Sequence, residues 1–267
     1  MTEEILKKIK QLPPLPESAM QIEAVYQDPD SSFNDMVKIL EKDPLLTADI
    51  LKAANSPLYG FSREINAISQ AVGLFGMGTV RGFALASIVK KSFSLDLSPY
   101  GINNEMFSSL SKKQHGLVTS WCIRKENKLL GVLSPAAFLV EIGKVLIAQQ
   151  IMADGKQEEF RDALKELGNV EAAERKVVGA DTPEVSATIF AQWKFEEGLV
   201  DVIGNCMNPD NAEPDDVRAA AILNAVRIAV PINGVVTEES IDAAKVIVEK
   251  YDLHMEAFET AIENIQQ

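Results

Sequence analysis

Thiols and imidazoles are scarce in this chain of 267 residues: Cys122, Cys206, His115 and His254 are the full set. A cysteine nucleophile needs a base within reach, usually histidine. His115 and Cys122 lie seven residues apart in a helical pattern, so they share a face. No activating sequence surrounds that thiol, and Cys122 reads first as a small buried apolar residue beside Trp121 and Ile123. His254 has no partner by spacing and reads as a surface or helix-packing residue. Two cysteines and two histidines exclude a disulfide framework, a cysteine-rich zinc site and a multi-histidine cluster. The glycines of Gly73-Leu-Phe-Gly-Met-Gly78 follow a helix rather than a strand, which argues against a phosphate cradle and for a tight turn between helices. Paired acids at Glu158-Glu159, Glu196-Glu197, Asp215-Asp216 and Glu238-Glu239 fall near helix starts, where they offset the helix dipole. No two carboxylates are paired in apolar surroundings by spacing alone.

The elements that must position these residues are helices. Apolar residues recur at helical spacing throughout, and no strand-turn-strand pattern appears. Thr2, Pro16, Ser32 with Asp35, and Asp43-Pro44 mark starts near the N-terminus. Ser134-Pro135 and Thr182-Pro183 read as the same N-cap-plus-proline device ahead of Ala136–Ile151 and Glu184–Trp193. Asp215 and Thr237 head two further helices. The expected fold is all-α, a multi-helical array of about a dozen helices, with an N-terminal helical lobe (1–100) packed on a second helical lobe (101–267). The break is expected within Ser92–Asn104.

Net charge is −13, and its distribution follows that division. Residues 1–100 hold ten Lys/Arg against twelve Asp/Glu, and the rest of the chain carries a net −11. Such a field repels phosphate backbones and anionic membrane surfaces, so neither direct nucleic-acid binding nor membrane association is expected. The N-terminus opens with acid rather than a signal-peptide charge pattern. No apolar run reaches the ~18 residues of a bilayer span, Ala219–Ile232 coming closest before Asn224 and Arg227 interrupt it. The reading is a cytoplasmic protein with free thiols.

One ordered series goes further. Leu12-Pro-Pro-Leu-Pro16, Asp28-Pro29, Ile39-Leu-Glu-Lys-Asp-Pro44, Leu51-Lys-Ala-Ala-Asn-Ser56, Tyr59-Gly60, Ile65–Val72 and Leu74-Phe-Gly76 together resemble the HDOD family, the HD-related output domain of bacterial signalling proteins. The resemblance covers about residues 10–205. Read physically, Asn55 and Ser56 end a helix before Pro57, and Asn55 can tie neighbouring backbone groups with its amide. These residues either lock a helix corner, or Asn55, Ser56, Tyr59 and Gln70 form a groove for a partner or small ligand.

The second part resembles an HD-type phosphohydrolase core whose metal ligands have been lost. The resemblance places His115 at the first histidine of that core. It places Phe138-Leu-Val-Glu-Ile-Gly-Lys144 at the segment that carries the His-Asp pair, now Val140-Glu141. Thr182, the Cys206-Met207 pair and Val230 fall at three further ligand positions. His115 and Glu141 are the residual metal-ligand candidates. Bridging metal ions needs several imidazole and carboxylate donors at fixed geometry, which this set lacks. The resemblance therefore implies a non-catalytic signalling module with no cofactor, acting through a protein partner or a small regulatory ligand; no catalytic residue is expected. Two alternatives stand beside it. A residual metal-dependent phosphohydrolase requires His115 and Glu141 to converge in one pocket. A nucleotide-binding regulator without turnover requires a polar cleft with basic residues such as Arg63 or Arg81.

Overall fold

Asp43 illustrates how this sequence starts its helices. Its carboxylate accepts the N–H groups of Leu45 and Leu46 at 2.9 and 3.0 Å, while Pro44 takes the first-turn position where no N–H is needed. The same logic recurs along the chain. A computed structural model describes residues 1–59, 61, 63–93 and 95–266. Gly60, part of the Tyr59-Gly60 motif, lies outside the described residues.

Among the described residues there are fifteen α-helices and no strand. The first five are α1 (Glu3–Lys10), α2 (Glu17–Gln27), α3 (Phe33–Leu40), α4 (Pro44–Ala54) and α5 (Ile68–Lys91). There follow α6 (Asn104–Cys122), α7 (Leu130–Leu139), α8 (Gly143–Ala153), α9 (Gln157–Leu167) and α10 (Val170–Val178). The last are α11 (Thr182–Gln192), α12 (Glu197–Asn205), α13 (Val217–Ala229), α14 (Glu238–Lys250) and α15 (Met255–Gln266). Short 3₁₀ turns link several of them, including Pro57–Tyr59 and Val140–Ile142. One continuous apolar core runs from Ile5 to Ile265.

Helix α5 is the spine. It packs on α4, α3 and α2 on one side and on α7 on the other. The glycine run breaks it at Gly76, whose φ of 79° a side chain would resist. Just beyond, Gly82 lets α7 approach so closely that a Cβ there would stand 2.8 Å from Ser134 Oγ. So the run makes a kink and is followed by a glycine contact that seats the next helix.

Three sequence expectations need correction. Ser134-Pro135 does not start a helix, because Pro135 sits inside α7, which begins at Leu130. Proline leaves the carbonyl four residues earlier without its N–H partner. That carbonyl, Gly131 O, accepts from Arg81 Nη1 at 3.3 Å instead. The Thr182-Pro183 start is shifted by one residue: Asp181 is the cap, accepting from the Glu184 N–H at 3.0 Å. Nor is Ala219–Ile232 the stretch nearest to a bilayer span: 68–91 and 127–153 are long and apolar enough by length and composition, with mean hydropathy of 1.6 and 1.8 over their best windows, but those windows are 56% and 83% buried, as befits core helices.

Candidate functional site

The turn Val140–Ile142 drops between α7 and α8 into the middle of the molecule, carrying Glu141 with it. A buried carboxylate must be paired. Arg227 Nε from α13 donates to Glu141 Oε1 at 2.8 Å, and Lys144 Nζ, one turn on in α8, lies 2.8 Å from Oε2. Gln114 Nε2 from α6 reaches Oε1 at 3.3 Å. Lys144 also donates to Thr182 Oγ1 at 3.0 Å and stands 3.5 Å from Glu174. Arg227 extends to Glu171 at 2.5 Å, to Met207 Sδ at 3.0 Å and to Cys206 Sγ at 3.9 Å. Glu174 accepts from Tyr100 Oη at 2.7 Å and from the Thr182 hydroxyl and N–H at 2.6 and 2.7 Å.

Four of the positions at which the resemblance puts lost ligands, Glu141, Thr182, Cys206 and Met207, thus converge on one place. What they surround is the ammonium of Lys144 and the guanidinium of Arg227. Val140 contributes only its carbonyl, which accepts from Ser186 at 2.6 Å, and Val230 only its carbonyl, which accepts from Gln114 at 3.1 Å. Burial alone would raise the Glu141 carboxyl, but Arg227 and Lys144 hold it far below the usual carboxylate range. Lys144 and Arg227 are held charged by the surrounding acids against the opposing effect of burial. Burial would likewise raise Glu171, yet Arg227 and Lys144 bring it down, whereas in Glu174 burial prevails and the carboxyl rises. The residues do not fit the metal pair of an HD-type core. Val140 has no side-chain donor, and two fixed cations occupy the centre, where a metal ion would meet like charge. Among the described residues no group of three His, Cys, Asp or Glu is placed to hold a metal ion.

His115 sits on α6 beside Gln114 but faces elsewhere. Its Nδ1 shares a 2.5 Å hydrogen bond with Tyr59 Oη, and its Nε2 one of 2.8 Å with Ser134 Oγ. The ring stacks on Phe138 at 4.0 Å and touches Phe83 at 5.1 Å. Both ring nitrogens are therefore used, whichever one carries the proton. Burial lowers its pKa to about 3, so the ring is neutral at ordinary pH, and burial raises the Tyr59 phenol well above its usual range. Among the described residues the hydrogen bonds of His115 go to Tyr59, Ser134 and Thr119, and those of Glu141 to Gln114 and Arg227 with Lys144 in an ion pair, so the two side chains have separate partners.

The corner residues divide by role. Asn55 Nδ2 donates to Leu51 O at 2.9 Å and Ile65 O at 2.8 Å, and its Oδ1 accepts from the Ile65 N–H at 2.8 Å. It clamps both ends of the 56–64 connection. Ser56 accepts the Tyr59 N–H with its carbonyl at 3.1 Å. Gln70 holds the Asn66 N–H at 2.9 Å ahead of α5. Tyr59 lines a cavity of about 620 Å³ and Gln70 one of about 550 Å³; the two share Phe61 and Leu74. Arg63 lines the second, but Arg81 is fully buried, paired with Glu23 at 2.6 Å and Glu196 at 3.1 Å over the Tyr26 ring. Arg81 is thus a tie between α2, α5 and the start of α12, unavailable to a ligand. Both cysteines are buried; burial pushes Cys206 up to about 11 and Cys122 higher still. His254 is half-exposed, 3.4 Å from Glu126.

Sequence reasoning missed Lys144, Arg227, Glu171, Glu174 and Tyr100. A signal was present: Arg227 is a lone charge in an apolar run, and Lys144 shares its run only with Glu141, three residues before it, so each needs a buried counter-charge. Glu171 and Glu174 sit one turn apart on α10.

An all-helical frame with an HD-like segment at its centre, filled by its own ion pairs, defines a ligand-depleted relative of the HD fold. Residues 12–209 match the HDOD domain, and the chain belongs to that family. Its fold is shared by a candidate phosphohydrolase from Shewanella amazonensis at 23% identity and a TM-score of 0.74, covering 99% of this chain and 94% of that one. An HDOD domain protein of unknown function from Geobacter sulfurreducens matches at 18% identity and a TM-score of 0.66, over 98% and 96% of the two chains. A virulence factor from Campylobacter jejuni matches at 25% identity and a TM-score of 0.59, over 99% and 100%. In sequence, an uncharacterized protein of Treponema pallidum is 32% identical over 73 residues, 27% of this chain. That stretch is only 14% of the relative's length.

Proposed function

We propose that this chain is a non-catalytic regulatory module of bacterial signal transduction, working in the cytoplasm by binding a protein partner. The observation that carries the non-catalytic half is the centre itself: Lys144 and Arg227 are surrounded by residues that the resemblance puts at metal-ligand positions, and Glu141 is consumed in pairing them. A domain that keeps the frame and fills the site retains its value through surface and shape.

The partner half is supported by the corner. Phe61, Leu74 and Ile123 are 44, 51 and 48% exposed and all border the cavity that Tyr59 lines. Clustered large apolar side chains in water are a common mark of a docking face. We place this face on the N-terminal lobe of residues 1–100 and its border with the second lobe, a division we also propose.

The deciding experiment is metal analysis of the purified protein, with turnover assays on cyclic dinucleotides and a generic phosphodiester. The expected result is substoichiometric metal and no turnover. Stoichiometric transition metal with turnover would overturn the reading.

A further inference from the structure

A second cavity, of about 480 Å³, opens between α4, the C-terminal half of α5 and the first turns of α6. Its size falls in the ~300–1,000 Å³ range of small-molecule sites. Four lysines border it, Lys52, Lys90, Lys91 and Lys112, against a single carboxylate, Asp49. That carboxylate is already engaged, by Lys91 at 2.7 Å and by the Ser87 hydroxyl at 2.6 Å. Among the described residues, Lys52, Lys90 and Lys112 have no ion-pair partner. Such a surplus is out of place in a chain of net charge −13.

Lys90 is half-buried, and burial together with the charge of Lys112 depresses its pKa. Two like charges held close in a partly desolvated wall disfavour each other, and a bound anion would relieve both. The floor is apolar and aromatic: Phe107 and Phe138 line it, and Phe138 is the ring stacked on His115. Hydroxyl and amide groups are present too, from Ser108 and Asn104, beside Ser111, whose hydroxyl donates to Phe107 O at 3.2 Å. An acyl chain would leave these groups facing hydrocarbon, whereas a ribose and a heterocycle would use them.

We propose that this cavity binds a small organic phosphate of the nucleotide class, its phosphate on Lys90 and Lys112 and its ring against Phe107 and Phe138. The site is not the Arg63 or Arg81 cleft that the sequence suggested. Its floor is the segment that leads directly into Glu141, and its aromatic wall touches His115, so occupancy would press on the filled centre and on Tyr59 at the corner. The proposal rests on the regulatory reading above and supplies its small-molecule input.

The test is isothermal titration calorimetry of the purified full chain with ADP, GDP, AMP and GMP, with inorganic phosphate and dodecyl phosphate as separate arms. One-to-one binding of at least one nucleotide is expected, tighter than phosphate alone, and weakened with rising salt. In Lys90→Gln/Lys112→Gln the affinity should fall about tenfold or more, with the melting temperature kept. Lys90→Arg/Lys112→Arg should restore it. Silence of all four nucleotides at about 1 mM overturns the site, as does binding that survives the glutamine pair, or dodecyl phosphate binding where nucleotides do not. None of these outcomes touches the metal and turnover test, so loss of this site would leave the non-catalytic reading standing.

Discussion

Two groups of cations lie near the turn around residue 141, one on Glu141 itself and one at a cavity that Leu139 and Ile142 line, and they are built differently. Lys144 and Arg227 are buried, and each meets at least two carboxylates. Lys90 and Lys112 are half-exposed, border a cavity, and meet none among the described residues. The first arrangement is closed: each cation is paired with carboxylates of the same chain. The second is open, and its surplus charge is satisfied only from outside. Buried pairing marks a cation as part of the structure, and unpaired convergence on a cavity marks it as part of a site.

Substitutions can break or sharpen that contrast. The largest effect is expected at the closed centre. Arg227→Met leaves Glu141 and Glu171 with Lys144 alone, and should cost about 3–5 kcal/mol in urea denaturation. A loss below about 1 kcal/mol would mean that the network is not what holds the centre.

Next comes the pH dependence carried by His115. Unfolded, it titrates near the ordinary ~6.5; folded, near about 3. Between those values the unfolded chain binds the extra proton, so stability is fully present above about 6.5 and drains as pH falls, by up to about 1.4 kcal/mol per unit. Denaturation at pH 7 and pH 5 reads the net slope, to which buried carboxyls held above their usual range, such as Glu174, contribute in the opposite sense, so the comparison with a His115 variant is what isolates the ring. His115→Gln should flatten the difference; an unchanged slope would mean that the ring is not titrating as its burial implies.

Gly82→Ala should cost about 1–3 kcal/mol, because the added methyl meets Ser134 and the α7 backbone. Asn55→Ala removes the clamp on Leu51 and Ile65 and should cost about 1–3 kcal/mol by thermal melting. The smallest effect is expected at the open cavity. Lys90→Gln/Lys112→Gln should leave stability within about 0.5 kcal/mol of the parent, or raise it slightly by removing like-charge repulsion. A large loss there would erase the contrast between the two groups.

Much of the helical frame is legible from local signals. Asp43-Pro44, Thr237 and the Ser32/Asp35 pair act through backbone groups within a few residues, so their meaning needs no partner. Ser134-Pro135 carries the same local signal and means something else. Its helix starts earlier, because Arg81, 50 residues before Gly131, accommodates the carbonyl that proline orphans. The Asn55 corner was readable as an alternative between lock and groove; the amide turns out to be the lock, while Tyr59 and Gln70 border cavities.

The sequence by itself determined the all-helical class, the family, and the absence of a histidine-rich ligand set. Those follow from periodicity, residue order and composition, which are properties of the chain alone. Only the tertiary structure decided that Glu141 meets Arg227 across 86 residues, that His115 turns toward Tyr59 rather than toward Glu141, and that Lys90 and Lys112 line one cavity. A charge announces that it needs a partner, but burial and distance set which partner it has, and both arise from packing between helices far apart in the chain.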